Sequence, residues 1–244
     1  MRRTLKYFFS LWLVGLIGTT ALAQETKKDS VVPKTYRYGL RLGVDLYKIG
    51  QSVRDKNYKG IEFTGDYRIS KNYYLAGEIG NENTTENDYL INYTAKGTYL
   101  KAGFDYNFYE NWLDMENVIT VGLRYSASSF SQTLNSYKIY TTNHYFDENP
   151  VYSPGTTTSG LSAQWFEVVV GMKAKVIQNF YLGFSFRMNK LFSNKSPANF
   201  DNLYIPGFNR TYGGSFGAGF NYTLSYLLPI YKKKEILPVK KQKN

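Results

Sequence analysis

The chain has 244 residues, no cysteine, 24 tyrosines, 16 phenylalanines and a formal net charge of +11. An exported chain without disulfides must find its stability elsewhere, and so many aromatic residues suit strands and membrane interfaces. Basic chains often meet nucleic acid, but the charge falls to +8 once Arg2, Arg3 and Lys6 leave with an export signal, and part of the remainder is a lysine-rich tail, so no nucleic-acid partner is expected.

Residues 1–23 read as a secretory signal peptide. A basic stretch at 1–6 (MRRTLK) precedes a short apolar run at 7–18 (YFFSLWLVGLIG), and Ala21, Leu22 and Ala23 fit the small-x-small rule for cleavage between Ala23 and Gln24. The run is shorter than the ~20 residues a spanning helix needs. Arg2 and Arg3 also fit a twin-arginine signal, although the strongly apolar run suits the general secretory route better. No cysteine stands at the cleavage site, which excludes a lipoprotein anchor, and no second apolar run approaches spanning length. Residues 24–34 (QETKKDSVVPK) read as a periplasmic lead-in.

From there the dominant signal is period-two alternation, which marks half-buried strands. It recurs in eight segments. In the first, 36–47, Tyr36, Tyr38, Leu40, Leu42, Val44 and Leu46 share one face, and Arg37, Gly39, Arg41, Gly43 and Asp45 the other. The second sets Ile61, Phe63 and Tyr67 against Glu62, Asp66 and Arg68; the third sets Tyr73, Leu75 and Ile79 against Tyr74, Ala76 and Glu78. The fourth opposes Leu100, Phe104 and Phe108 to Tyr99, Lys101 and Asp105, and the fifth Val121, Leu123 and Tyr125 to Gly122, Arg124 and Ser126. The sixth opposes Phe166, Val168 and Met172 to Glu167, Lys173 and Lys175; the seventh, Phe180, Leu182 and Phe186 to Tyr181, Ser185 and Arg187; the last, Phe220, Tyr222 and Leu224 to Asn221, Thr223 and Ser225.

Segments of about ten residues, tilted by about 40°, cross the ~25 Å apolar band of an outer-membrane barrel. Short connections (70–72, 109–117, 178–179) alternate with long ones (48–60, 81–98, 128–164, 190–214). That is the pattern of periplasmic turns and extracellular loops. An even strand number puts both termini on the periplasmic side. The expected fold is an all-β, eight-stranded antiparallel up-and-down transmembrane barrel over residues 35–231, with a basic periplasmic tail at 232–244. The tail's lysines suit anionic lipid headgroups.

Alternation alone does not say which face points outward; a soluble lipocalin-like barrel would invert it. Volume decides, because the roughly three dozen large side chains of the apolar face would not fit an eight-stranded bore, which side chains only just fill. The other face mixes glycine with charge, so it is assigned to the lumen. It carries Arg37, Arg41, Arg68, Lys101, Arg124, Lys173, Lys175 and Arg187 against Asp45, Glu62, Asp66, Glu78, Asp105 and Glu167. Buried charges must be paired. An interlocked plug of ion pairs is therefore expected instead of an open channel, with Arg41 mattering more to stability than the outward Leu42. Tyr67, Tyr73, Phe108, Tyr109, Trp112, Phe180, Tyr226 and Tyr231 are expected as a periplasmic aromatic girdle, and Tyr47, Phe130, Trp165, Phe166 and Phe216 toward the outer interface.

This pattern resembles the small outer-membrane barrels of the OmpA and OmpX kind. The last segment, 219–226 (GFNYTLSY), looks like the insertion signal read by the outer-membrane assembly machinery, although about 13 residues follow Tyr231 where that signal usually ends the chain. The ending from Tyr226 to Lys234 is similar to that of uncharacterised barrel proteins from Bacteroidota. The resemblance implies outer-membrane lipid and the assembly machinery as partners, and brings no assigned activity.

No zinc spacing, phosphate loop or serine elbow is present. No catalytic set, cofactor or metal site is expected. His144, the single histidine, lies in a polar loop near Asp147 and Glu148, and a solvated role is favoured over a catalytic one. The 128–164 loop is rich in Tyr, Ser, Thr and Asn and offers a surface for an extracellular ligand. The expected role is a non-enzymatic outer-membrane protein serving envelope structure or partner binding. The alternatives are a narrow solute pore, an envelope enzyme acting on lipid through His144, and a soluble periplasmic barrel.

Overall fold

The computed structural model describes residues 34–110, 116–139, 151–197, 201–210 and 214–235. One compact unit, Thr35–Lys233, holds the sheet; of a second unit, Met1–Lys34 with Lys234–Asn244, only Lys34, Lys234 and Glu235 are described. The signal peptide with its Ala23–Gln24 cleavage, Trp112, His144 and most of the basic tail lie outside the described residues.

The elements are β1 (Lys34–Asp45), α1 (Leu46–Arg54), β2 (Tyr58–Arg68), β3 (Tyr73–Asn87), β4 (Ile91–Asn107), β5 (Val118–Lys138), β6 (Val151–Tyr152), β7 (Thr156–Ile177), β8 (Phe180–Lys195), β9 (Tyr204–Ile205), β10 (Asn209–Arg210) and β11 (Phe216–Glu235). The main sheet runs β4-β3-β2-β1-β11-β8-β7-β5-β6, and a further β4–β5 pairing closes it into a ring. Closure leaves no long edge strand for aggregation. Eleven strands, not eight, are present among the described residues. The three extra ones have two residues each: β6 hangs on β5, and β9 and β10 form a separate hairpin. Two residues are too few to show a period.

Several strands also outrun their sequence segments. β5 and β7 reach 21 and 22 residues, and β3 and β4 are separated only by residues 88–90. Most of the expected 81–98 connection is ladder, with Glu82 opposite Gly97 and Thr84 opposite Ala95. Likewise, residues 128–138 and 156–164 of the expected third loop are strand. Asn81, Glu82, Asn83, Thr84 and Thr85 are polar on both faces, so no alternation marks them, yet their backbone pairs as well as any other. The expected 48–60 loop begins instead as a helix. Asp45 caps α1 by accepting hydrogen bonds from the backbone N–H of Tyr47 (2.7 Å) and Lys48 (3.4 Å). The β7–β8 turn is two residues long, with Asn179 at φ 67°, the left-handed conformation that tight hairpins require.

Accessibility separates the two faces. Phe63 and Leu100 are 52 % and 58 % exposed, whereas their chain neighbours Glu62 and Lys101 are 0 % and 2 %. Leu42, Leu75, Phe104, Leu123, Val170, Phe184 and Tyr222 continue the outer apolar face around the ring. Tyr73, Phe108, Phe180, Tyr226 and Tyr231 lie on that face near one end, and Tyr47, Phe166 and Phe216 are exposed toward the other. Two expected girdle members turn inward. Trp165 and Phe130 are buried at 0 % and 4 %. Trp165 shares the parity of Glu167, and Phe130 that of Arg124, so the pleat itself directs them inside.

The glycines of β1 leave room for the backbone of the neighbouring strand. A Cβ at Gly43 would lie 2.7 Å from both the Leu224 carbonyl oxygen and Ser225 Cβ on β11. β1 and β11 must approach closely here for the ring to be continuous. Gly43→Ala should therefore lower stability by about 1–3 kcal/mol through overpacking, while Gly77→Ala, whose Cβ would meet nothing nearer than the Lys101 carbonyl oxygen at 3.7 Å, should be neutral. Thermal unfolding in detergent micelles checks this; equal midpoints for the two variants would contradict it.

Candidate functional site

The interior of the ring is built from the polar face of every long strand, charged in all but β11, which contributes Asn221, Thr223 and Ser225. At the end marked by the short turns, Arg37 of β1 pairs with Glu116. It also donates to Asn179 Oδ1 at 2.7 Å. Lys175 Nζ reaches the same Glu116 carboxylate at 3.0 Å. Further in, Asp66 receives Lys173 and lies 3.2 Å from Arg41 Nε, within ion-pair range but outside hydrogen-bond geometry. Arg41 is also held over the ring of Tyr181, 4.6 Å from its centroid.

A continuous chain of charges follows. Arg124 holds Asp105 at 2.8 Å and lies 3.7 Å from Glu78. Glu78 takes Arg187 at 2.6 Å, Arg187 reaches Glu167 at 3.0 Å, and Lys101 meets Glu167 at 2.8 Å. Strand order gives these pairs a structural meaning. β3 and β8 stand four places apart around the ring, as do β2 and β7. The Glu78–Arg187 and Asp66–Lys173 pairs therefore span the bore and tie opposite walls together, which no neighbouring-strand pair does.

Toward the loop end, Lys48 of α1 pairs with Glu82 and lies 3.7 Å from Glu62. Glu62 also accepts from Tyr99 (2.5 Å) and Asn221 (2.7 Å), and Glu82 from Tyr204 (2.8 Å) and the Gly207 N–H (3.0 Å). Above these groups the mouth is filled by apolar side chains. Ile205 and Phe208, from the segment between β8 and β11, pack with Tyr99, Phe130, Leu161 and Trp165. The Trp165 indole N–H donates to Glu167 at 2.7 Å, tying the apolar layer to the ionic one. Gly207 has φ 81°, and a Cβ there would meet the Tyr99 ring at 2.5 Å, so this inward turn needs glycine twice over.

Of the interior residues read from the sequence, Arg41, Asp45, Glu62, Asp66, Glu78, Lys101, Asp105, Arg124, Glu167 and Arg187 are buried, and Arg37, Arg68, Lys173 and Lys175 partly so. Two play other parts than ion pairing among the described residues. Asp45 caps α1, and Arg68 donates to the Ser70 carbonyl (3.2 Å) while lying over the rings of Tyr36, Tyr38 and Tyr74. Lys48, Glu82 and Glu116 were missed because they fall beyond the alternating segments. So was the plug at 202–208, although the apolar run Leu203-Tyr204-Ile205-Pro206 inside a polar loop was a visible signal.

Chemically, the carboxylates of this interior are engaged by cations, tyrosines or amides, an arrangement suited to locking strands together. No group of three or more His, Asp or Glu side chains that could hold a metal occurs among the described residues.

Removing one partner from such a pair leaves its counter-charge buried, at a cost of about 3–5 kcal/mol. Arg41→Ala should lower the unfolding midpoint far more than Leu42→Ala on the outer face, and matched midpoints would count against the network. At the turn end, burial pushes the Glu116 carboxyl up, but hydrogen bonds from Arg37 and Lys175 outweigh it and hold the group below the ordinary carboxylate range. A carboxylate depressed in the folded state adds stability above its unfolded pKa and loses it as pH falls through the folded value. The stability gap between the native chain and Glu116→Gln should therefore be full at neutral pH and narrow below the normal carboxylate range. A gap independent of pH in melts down to strong acid would contradict this.

No curated protein matches the chain. Among solved structures it is similar to Ail, the attachment invasion locus protein of Yersinia pestis, with 14 % sequence identity, a TM-score of 0.40, and coverage of 80 % of this chain and 99 % of that one. A family model described as a domain of unknown function, DUF6048, matches residues 4–233, and the chain belongs to that family.

Proposed function

We propose that this protein is an eight-stranded barrel of a bacterial outer membrane, closed to solutes, that serves envelope structure and partner contact without catalysis. The observation that carries this reading is the sorting of charge and apolar surface by strand parity: buried ion pairs inside, and an apolar face outside that water would not tolerate. Eight long strands, β1 to β5, β7, β8 and β11, make up the ring, and the two-residue β6 adds no crossing. In lipid only closed barrels and helices satisfy their backbone, and no described helix is long and apolar enough to cross a membrane. With Ala23–Gln24 cleavage and termini in the periplasm, the long strand extensions project outside the cell.

The plugged mouth favours the closed form over a pore. Beneath Phe208 and Ile205, the Glu78–Arg187 pair crosses the bore, so removing the apolar plug alone would still leave it blocked. Partner contact is supported by the extension tips. A cleft of about 350 Å³ lies between the β3–β4 turn and the β5–β6 pair, lined by Tyr89, Leu90, Tyr137 and Val151. Tyr137 and Tyr152 stack at 5.3 Å, and Lys138 lies over Tyr89. Exposed, ordered aromatic residues of this kind are common at binding surfaces. The same chemistry would suit an extracellular ligand of the outer loops.

Purified protein in a planar bilayer should give no steady single-channel current, and regular conductance steps would favour the pore. A His144→Ala strain should show unchanged lipid A by mass spectrometry; altered acylation would replace this reading with an enzymatic one.

A further inference from the structure

Charge is sorted on the outer face as well as in the bore. Every Asp and Glu of strands β1 to β8 has the inner parity, so among the described residues the outer face of these strands carries no carboxylate. Toward the loop end it carries lysines instead: Lys59 on β2, Lys96 on β4 and Lys190 on β8, all exposed. Lys190 is already engaged, lying 3.7 Å from the centre of the Phe216 ring and donating to Ser215 Oγ. The side chains of Lys59 and Lys96 make no ion pair or hydrogen bond among the described residues.

Register brings these two lysines together. Lys59 stands opposite Asn83 of β3, and Asn83 opposite Lys96 of β4, so the three form one outward row. Neighbouring strands lie ~4.8 Å apart, which sets the lysine backbones about 10 Å from each other. Both long side chains can lean over the shorter Asn83 and meet on one anion, to which the Asn83 amide adds a donor. The base of Lys59 is fixed where the β1–β2 ladder has already ended at Val44–Phe63. There Ser52 of α1 takes the place of a strand, donating to the Gly60 carbonyl (3.0 Å) and accepting from the Gly60 N–H (2.7 Å). In the adjoining turn Asp55 stands between Arg54 and Lys56, all three exposed, so the turn adds net positive charge.

Depth and shape say what kind of anion this is. The next outward row toward the turns is Ile61, Asn81 and Thr98, and the one after it is Phe63, Ile79 and Leu100. Each step is about 7 Å along the strand. The lysines thus stand just above a wholly apolar surface, at the height where headgroups meet hydrocarbon. Beside them an open groove of about 450 Å³ is lined by Asn81, Asn83, Lys96, Thr98, Ser129 and Ser131 among others, with no carboxylate. Amides and hydroxyls of this kind both donate and accept, which suits a hydroxyl-rich ring.

We propose that this sector of the wall binds one phosphorylated glycolipid of the outer leaflet. Its phosphate sits between Lys59 and Lys96 over Asn83, its sugar lies in the groove toward Ser129 and Ser131, and its acyl chains run over Phe63, Ile79 and Leu100. Positive charge without a counter-charge selects the phosphate, the groove selects the sugar, and the apolar rows beneath select a lipid-linked one. This rests on the outer face meeting lipid with the loop end outside the cell.

The test uses the full mature chain in micelles of tetraethylene glycol octyl ether, with bound lipid counted by native mass spectrometry. Diphosphoryl lipid A should bind saturably at one molecule per chain. Lys59→Ala with Lys96→Ala should weaken it at least about tenfold, as expected for two lysines at a membrane surface, while Lys190→Ala should leave it unchanged. Phosphatidylglycerol, anionic but without the sugar, should bind about tenfold more weakly, and glucose 1-phosphate, without acyl chains, should not compete at equal concentration. Unchanged affinity in the double variant, an equal loss in Lys190→Ala, equal binding of phosphatidylglycerol, or competition by glucose 1-phosphate would overturn the site. A chain that is monomeric and soluble without detergent would instead overturn the membrane reading before any lipid is added.

Discussion

Charge pairs that cross the bore are the constraint on which the rest of this structure depends. Glu78 with Arg187, and Asp66 with Lys173, join strands on opposite sides of the ring. Neighbouring-strand ladders set the register and, with the strand number, the diameter; contacts across the interior tie opposite walls to one another and hold the section of the bore. Once the bore is fixed, the volume left inside is small, and large apolar side chains have to face outward. The outer surface is thus a consequence of the inner one. The same logic explains the density of glycine beside the charges: each long side chain crossing a narrow interior, and each close strand approach at the β1–β11 seam, needs a position without a side chain.

The interior is stratified. Ion pairs with Glu116 sit at the turn end, the chain from Asp105 to Lys101 occupies the middle, and an apolar layer around Trp165 and Phe208 seals the loop end. The two chemistries are linked by individual hydrogen bonds, such as those that Trp165 donates to Glu167 and Tyr99 to Glu62. A seal made of apolar side chains protects the ion pairs beneath it from water, which strengthens them. A purely ionic plug would be wetter and weaker. The helix α1 serves a similar economy in the wall, where Ser52 stands in for a strand and Lys48 adds a cation to the interior.

Much of this was legible from alternation. The eight segments, the inward charges and the outward Leu and Phe residues follow from parity alone, because successive side chains of a strand point to opposite faces. Trp165 and Phe130 were assigned to the wrong side because their position near strand ends was weighed above their parity with Glu167 and Arg124. The long extensions of β3, β4, β5 and β7 were illegible for a different reason. Their inner side is covered by the plug, with Glu82, Thr84 and Ala95 buried, but polar and small residues stand on both faces and carry no apolar period, so Asn83 and Thr85 look like loop although their ladder is intact. The helical stretch after Asp45 and the inward fold of residues 202–208 depend on contacts with distant strands, which no local pattern records.

The direction in which the two faces point can be measured most directly with spin labels. The chain has no cysteine, so single cysteines at Leu100, Leu123 and Phe184, and at Thr223 on the inner face, can each carry one label in reconstituted bilayers. Labels at the first three positions should collide freely with oxygen dissolved in lipid and be shielded from a water-soluble nickel chelate, while the label at Thr223 meets neither freely. Chelate access at Leu100, Leu123 and Phe184 equal to that of a label in water would contradict the account.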